Sequence, residues 1–179
     1  MWDKESIHAA VAAQKAFFSS GATLPLSFRK EMLLKLKESV ERHEKDIEKA
    51  LYDDLGRSET EAYLCDVGPV IMEINEALHG LKKWAKPEKH FSGLLAFPST
   101  RTMVYKLPYG TVLIVSPFNF PFLLSLGVLS AAIAAGNTAI LKASSKSKAS
   151  TECLKKIIAD AFPPEYCTVV DGGHDIADM

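Results

Sequence analysis

Residues 111–142 read TVLIVSPFNFPFLLSLGVLSAAIAAGNTAILK and carry one charge, at Lys142. The short uncharged run TVLIV and the later run TAIL flank a long apolar segment that ends at Gly136. Such runs without alternation are typical of parallel strands that are covered on both faces. We therefore expect a strand, a buried helix and a second parallel strand, with Asn119 in the turn after the first strand.

The uncharged segment from Leu107 to Leu141 is also long enough to cross a bilayer. Pro108, Pro117 and Pro121 interrupt this run, and each proline removes a helical hydrogen bond. Lipid offers no replacement for those hydrogen bonds. We therefore prefer a buried strand–helix–strand unit and expect no membrane association of this segment.

The alternation of helix and strand continues after Lys142. Residues 147–162, SKASTECLKKIIADAF, have the spacing of an amphipathic helix, and residues 167–173, CTVVDGG, predict a third strand and a glycine turn. The predicted fold class is therefore α/β. An N-terminal helical segment precedes the first half of a doubly wound, parallel, Rossmann-like sheet of order β-α-β-α-β.

The N-terminal half predicts helices. Ser27 is expected to cap the second of them, and Ser58 begins a long helix in which Gly68-Pro69 should produce a local kink. Steps of three and four residues along that helix predict one narrow apolar stripe. The stripe consists of Leu64, Val67, Ile71, Ile74, Leu78 and Leu81. We expect it to pack against a neighbouring layer.

The net charge of −1 offers no broad attraction to nucleic acid, so we expect no nucleic-acid partner.

The three cysteines, Cys65, Cys153 and Cys167, lie far apart and show no C-x-x-C spacing. They are typical of reduced, buried thiols and, together with the lack of a signal-peptide pattern, predict a cytoplasmic location. The five histidines are dispersed, and no metal site is expected.

Ligands of doubly wound sheets bind beyond the carboxyl ends of the strands. That rule selects three places, at residues 116–119, 142–145 and 171–173. Each place has polar or glycine residues directly after an apolar run. The first turn lacks a G-x-G-x-x-G pattern, so an ordinary Rossmann dinucleotide site is not supported.

The segment PYGTVLIVSPFNFPF, followed by AAIAAGNTAILKASSKS, resembles the aldehyde dehydrogenase superfamily. The upstream segments LYDDLGRSETEAYLCDVGPVIMEINEAL and LKKW are similar to its class-3 branch, which acts on fatty and aromatic aldehydes. The resemblance extends from about Phe28 to Gly173. It implies NAD(P)-dependent oxidation of an aldehyde to an acid, through attack by a cysteine thiolate.

By this resemblance, Asn119 is the catalytic asparagine whose amide stabilises the oxyanion. The alternative is that the Asn119 side chain caps the following helix. The resemblance also implies a cofactor site for NAD or NADP. Its residues are Val115, Ser116, Pro117, Phe118, Lys142, Ser144, Ser145 and Gly173.

Within this cofactor site, Lys142 is expected to bond the adenosine ribose hydroxyls, with a solvated strand-end lysine as the alternative. Ser145 stands where the family commonly has a glutamate that repels a 2′-phosphate, and Lys146 and Lys148 follow it closely. We therefore expect NADP to be tolerated or preferred.

The resemblance implies three parts: helices packing on the cofactor domain at 1–97, a strand or arm toward the oligomerisation region at 98–110, and half of the cofactor domain at 111–179. It places the nucleophilic cysteine and catalytic glutamate outside residues 1–179. These residues alone are therefore expected to be inactive and to leave the third strand of the half sheet exposed or wrongly covered. A homodimer is expected.

Two other interpretations stay open at this point. One is an acyl-reductase or semialdehyde dehydrogenase of the same superfamily, and the other is a truncated, non-catalytic binding or assembly module. The second belongs to a different class of function, since the helices and the segment RTMVYKL would then serve only to associate with another subunit.

Overall fold

The computed structural model describes residues 2–94, 101–173 and 176. The helices are α1 (Lys4–Ser19), α2 (Leu26–Arg42), α3 (Glu44–Leu55), α4 (Glu59–Ala62), α5 (Gly68–Trp84), α6 (Val128–Ala135) and α7 (Lys148–Ala161). The strands are β1 (Glu88–His90), β2 (Thr102–Val104), β3 (Thr111–Val115), β4 (Thr138–Lys142) and β5 (Cys167–Val170). A first π turn (Tyr63–Val67) precedes α5, and a second π turn (Leu123–Gly127) precedes α6.

The expected β-α-β-α-β unit is confirmed. β3, β4 and β5 form a parallel sheet in that order, with α6 and α7 as the crossovers. Leu113 lies opposite Ile140, and Ile140 lies opposite Thr168. β4 is buried along its whole length, as expected for a strand covered on both faces. In the described ranges, no helix has the length and apolarity needed to cross a membrane.

The expected cover of β3 is wrong, and of the two outcomes expected for β5, exposure or wrong cover, exposure is wrong. Leu113 and Val115 of β3 are 56% and 60% exposed, whereas three of the four β5 residues are buried. The reason is the packing on each strand. α7 lies against β5, and Val170 of β5 clusters with Ile7 of α1, while α1 covers β3 only in part.

The long helix that begins at Ser58 contains the first π turn. Ser58 Oγ accepts the Glu61 N–H at 3.3 Å, which confirms the predicted cap. The Gly68 N–H bonds to Tyr63 O, five residues back, so the irregular turn lies directly before Gly68-Pro69. The extra residue in this turn rotates the buried face: Leu64 is 66% exposed, and the stripe expected to contain it begins at Val67 instead.

One local expectation needs correction. The α2 helix begins at Leu26 with Pro25 as the cap residue, so Ser27 lies inside the helix and does not cap it. The ring of Pro25 fixes its φ near the observed −62°, and its carbonyl accepts the Arg29 N–H at 3.3 Å, the first hydrogen bond of the helix. Farther along the chain, Glu88–His90 pairs with Thr102–Val104 as a two-stranded antiparallel sheet.

The predicted arm at 98–110 contains β2, whose three residues are all exposed. Its first residues, and the boundary at 97/98, lie outside the described residues. The three-part division of the chain therefore stays a prediction.

One hydrophobic core joins the N-terminal helices to α6 and α7. The buried guanidinium of Arg29 crosses this junction, donating to Thr23 O at 2.9 Å and to Ala134 O at 3.2 Å. It lies against Gly136, which ends α6 in the left-handed region at φ 92°. A Cβ at Gly136 would lie 2.6 Å from Arg29 Cζ, so both backbone and space require glycine there.

Replacing Gly136 with alanine is therefore expected to destabilise the protein more than the same change at Gly56. Gly56 ends α3 at φ 69°, but a Cβ there meets nothing within 4 Å. Gly56→Ala should cost roughly 1–2 kcal/mol for left-handed backbone, and Gly136→Ala a further 1–3 kcal/mol or so because Arg29 must move. Urea unfolding measures the free energy of unfolding of both variants. Equal losses of that free energy in the two variants would contradict the role assigned to the Arg29 contact.

Candidate active site

The carboxyl ends of the three parallel strands lie side by side. Ser116 N–H donates to Lys142 O at 3.0 Å, and Ala143 N–H donates to Val170 O at 3.1 Å. Val115 pairs in register with Lys142. The structure therefore brings the three segments selected from the sequence to one edge of the sheet.

Lys142 is buried at this edge, with 8% of its surface exposed. Its ammonium donates to Gly172 O at 2.8 Å and so connects the end of β4 to the turn after β5. The alternative of a freely solvated strand-end lysine is wrong. An ammonium has three donors, and this hydrogen bond orients the group while leaving others for a ligand.

A cleft of about 370 Å³ opens beside the turn that follows β4. Its lining residues are Ser144, Ser145, Lys148, Thr151, Glu152, Asp171 and Gly172. Lys155 donates to both acids of this cleft, at 2.7 Å to Glu152 and 2.9 Å to Asp171. The hydrogen bond from Lys155 lowers the pKa of Asp171, which stays ionised while its charge is compensated.

Lys146 bridges the first two strand ends. Its ammonium lies 5.2 Å from the centroid of the Phe118 ring, within cation–π range. Lys146 N–H also donates to Ser144 Oγ at 3.2 Å, which shapes the turn that presents the exposed Ser145. Predicted cofactor residues from two separate segments are thus held together.

Asp54 occupies the N-terminus of α7, a contact that the sequence analysis missed. Its carboxylate accepts the Ala149 N–H at 3.1 Å and the Ser150 N–H at 2.7 Å. A carboxylate is favourable at a helix N-terminus because it meets unpaired N–H groups and the positive end of the dipole. No local sequence signal links positions separated by 95 residues.

Asn119 lies exposed in the turn between β3 and the second π turn. Among the described residues its side-chain amide makes no hydrogen bond, while its backbone carbonyl accepts from Arg57 Nη2 at 2.7 Å. The expected alternative, helix capping by Asn119, is wrong. The cap residue is Phe122, without a side-chain cap of its own, and Asp66 accepts the N–H groups there.

Arg57 and Asp66 are the second contact that sequence reasoning missed. The Asp66 side chain is fully buried and forms an ion pair with Arg57, whose side chain is 11% exposed. Burial raises the pKa of the Asp66 carboxyl, and hydrogen bonds from the Leu123 and Phe122 amides and the charge of Arg57 oppose that rise. The available signal was an acid directly beside the apolar stripe residue Val67.

The sequence model of the aldehyde dehydrogenase family matches residues 1–179. The chain belongs to the aldehyde dehydrogenase family. It is 43% identical over 159 residues to 4,4′-diaponeurosporen-aldehyde dehydrogenase of Staphylococcus aureus, covering 89% of this chain and 34% of that protein. It is 37% identical over 174 residues to aldehyde dehydrogenase family 3 member F1 of Arabidopsis thaliana, covering 97% and 36% respectively.

Solved structures share this fold. Staphylococcus aureus AldH in its substrate-bound state superposes with a TM-score of 0.93 at 41% identity, covering 96% of this chain and 37% of that chain. The NADP complex of GapN from Methanocaldococcus jannaschii has a TM-score of 0.84 at 23% identity, covering 97% and 38%, and supports the fold alone. The chain spans about a third of the length of these relatives.

The cysteines of this aldehyde dehydrogenase chain do not lie among the strand-end residues. Cys153 and Cys167 are buried, and burial raises the pKa of Cys153 to about 12 and that of Cys167 further. Cys65 is half-buried in the first π turn. Within the described residues, no group of three His, Cys, Asp or Glu side chains could hold a metal ion.

We expect one accessible thiol in the native aldehyde dehydrogenase chain. Burial and a raised pKa keep Cys153 and Cys167 protonated and shielded near pH 8, so only Cys65 should react with Ellman's reagent. Three thiols should react after unfolding in guanidinium chloride. Cys65→Ser is the matched control and should abolish the native reaction. Two or more fast native thiols would show that the buried pair is open to solvent.

Proposed function

We propose that residues 1–179 supply the oxyanion donor and part of the nicotinamide-cofactor site of an enzyme that oxidises an aldehyde to a carboxylic acid. The observation that carries this proposal is the Asn119 turn. Its backbone carbonyl is held by Arg57, and its side-chain amide is left without a partner among the described residues. A fixed, unpaired amide at the carboxyl end of a parallel strand suits a developing negative charge.

In the proposed reaction a cysteine thiolate from a longer chain attacks the aldehyde carbonyl carbon. The carbonyl oxygen becomes an oxyanion as the carbon–sulfur bond forms, and Asn119 Nδ2 donates a hydrogen bond to it. A bound nicotinamide would supply the oxidising chemistry as acceptor of the hydride lost from the same carbon, which leaves a thioester. Water activated by a general base then attacks the thioester carbonyl, the carbon–sulfur bond breaks, and the acid and the cysteine thiolate are released. None of the three cysteines is the nucleophile of this proposal: Cys153 and Cys167 are buried, and Cys65 lies half-buried in the first π turn.

The residues of the strand ends fit a dinucleotide. Lys142 is oriented by Gly172 and has donors left for ribose hydroxyls. Ser145 is exposed and uncharged, and Lys146 and Lys148 lie beside it. The acids of this cleft are compensated by Lys155, and Asp54 fills the α7 N-terminus. A 2′-phosphate would therefore be bound by lysine side chains and not by helix amides.

The apolar exposure of β2 and of the residues that follow it supports a homodimer as the assembly. Met103 and Val104 are 42% and 48% exposed, and Tyr105 and Leu107 are 60% and 80% exposed. A second copy of the chain would remove this surface from water. The proposal locates the enzyme in the cytoplasm, where its thiols stay reduced.

Replacing Asn119 with alanine in the full-length protein that contains this chain should lower kcat for aldehyde oxidation by roughly 10²–10³-fold. The cofactor KM should change little, because the lost hydrogen bond forms only as the oxyanion develops. Steady-state kinetics with hexanal and benzaldehyde measure both quantities.

Asn75→Ala is the matched control, because within the described residues the Asn75 amide bonds Lys37, in a contact between α2 and α5, and no residue of the Asn119 turn. It should leave kcat near the parent value. Residues 1–179 expressed alone should give no turnover. Turnover by that piece, or an Asn119→Ala enzyme as fast as the parent, would overturn the proposed role.

Replacing Ser145 with glutamate should shift preference from NADP to NAD. The added carboxylate repels a 2′-phosphate and accepts hydrogen bonds from ribose hydroxyls, so we expect the NADP dissociation constant to rise about tenfold, or ~1.4 kcal/mol. Ser19→Glu adds the same charge at the exposed end of α1 and serves as control. Calorimetric titration measures the dissociation constants of NAD and NADP. Tight NAD binding and no NADP binding by the parent would refute the expectation that NADP is tolerated or preferred.

A further inference from the structure

The turn that carries Asn119 has few hydrogen bonds between its own residues. Pro117 and Pro121 flank it and have no N–H to donate, and Ser116 Oγ donates only weakly to Pro117 O and Pro121 O, each at 3.4 Å. The second π turn holds two later carbonyls, since Leu124 N–H donates to Phe120 O at 3.0 Å and Ser125 Oγ donates to Pro121 O. The carbonyl of Asn119 and the first N–H groups of the second π turn are held by residues from distant parts of the chain.

One anchor is the Asp66 carboxylate in the first π turn. Its Oδ1 accepts the Phe122 N–H at 3.1 Å and the Leu123 N–H at 2.9 Å. These N–H groups open the second π turn, whose cap residue provides no side-chain bond of its own. Asp66 therefore caps a helix that begins 57 positions later in the chain.

The other anchor is Arg57, which follows the end of α3. Its Nη1 bonds Asp66 Oδ2, and its Nη2 donates to Asn119 O at 2.7 Å. The guanidinium also lies 4.8 Å from the centroid of the Phe120 ring. A planar guanidinium can make these contacts together, whereas an ammonium on a flexible stem cannot reproduce the geometry.

We propose that Arg57 and Asp66 are positioning residues that hold the Asn119 amide in the orientation needed to stabilise an oxyanion. This inference rests on the proposed function for its catalytic part. Arg57 holds the turn at Asn119 and Asp66 holds it three and four residues later, so the two anchors fix both the carbonyl and the exit of the turn. Neither residue touches the reacting atoms.

The test compares Arg57→Met, Arg57→Lys and Asp66→Asn in the full-length protein that contains this chain. Arg57→Met removes the contacts of the guanidinium with Asp66, Asn119 and Phe120. We expect kcat for aldehyde oxidation to fall roughly 10- to 100-fold, because small misplacements of a catalytic group cost about that much. The cofactor KM should stay within about twofold of the parent. Arg57→Lys keeps the positive charge beside Asp66. Relative to Arg57→Met, it should therefore recover more of the folding stability than of kcat.

Arg42→Met is the matched control, since Arg42 forms an exposed ion pair with Asp160 at 2.6 Å, between α2 and α7. It removes a charged arginine pair without touching the turn, so its kcat should equal that of the parent. A kcat for Arg57→Met that is unchanged, or that falls only in proportion to the folded fraction, overturns the proposal.

Hydrogen–deuterium exchange supplies a readout that does not need activity. In Asp66→Asn, amide exchange should accelerate about tenfold or more within residues 117–123 and stay at the parent rate in β4 and α7. Unchanged exchange at 117–123, or equally faster exchange everywhere, overturns the positioning role. If the parent oxidises no aldehyde, the proposed function fails, and the exchange result decides the positioning of the turn by itself.

Discussion

The burial of β4 on both faces is the constraint on which the rest of the structure depends. All five residues from Thr138 to Lys142 are buried, and the strand pairs with β3 on one side and β5 on the other. Because the three strands are parallel, their carboxyl ends coincide at one edge. The position of Lys142, and the meeting of the predicted cofactor residues, follow directly from this central strand.

The N-terminal helices do more than bury the stripe of α5. Polar side chains of the first 66 residues also bond backbone groups of the β-α-β unit. Gln14 donates to Ala139 O, Arg29 to Ala134 O, Ser39 to Ile157 O and Arg57 to Asn119 O, and Asp54 and Asp66 accept N–H groups at the starts of α7 and the second π turn. The contacts of Asp54 and Asp66 reach helix starts, where regular hydrogen bonding leaves N–H groups unpaired, and an unpaired buried group costs roughly 1–3 kcal/mol. The N-terminal segment therefore stabilises these helix starts of the β-α-β unit.

This arrangement connects stability to the proposed chemistry. The π turn that rotates the apolar stripe also places Asp66 at the start of the second π turn. The same guanidinium that compensates the buried carboxylate holds the carbonyl of Asn119. A buried ion pair adds little net stability by itself because desolvation offsets the attraction. Its value here lies in fixing the geometry of a turn in which two residues, both prolines, have no N–H to donate.

The sequence by itself determined the elements whose signal is local. The uncharged runs at 111–115 and 138–141, the amphipathic spacing of α7 and the helix stop at Gly136 predict the β-α-β-α-β order, and family motifs indicate Asn119 and Lys142. The tertiary structure alone decided the rest. Leu113 is exposed because α1 covers β3 only in part, and Leu64 is exposed because a π turn shifts the helix face. The contacts of Asp66 with Phe122, of Arg57 with Asn119 and of Asp54 with Ala149 join residues that are 56 to 95 positions apart. No local pattern in the sequence encodes contacts over such separations. Periodicity shows which face of an element is apolar, but only packing decides which polar group meets which backbone.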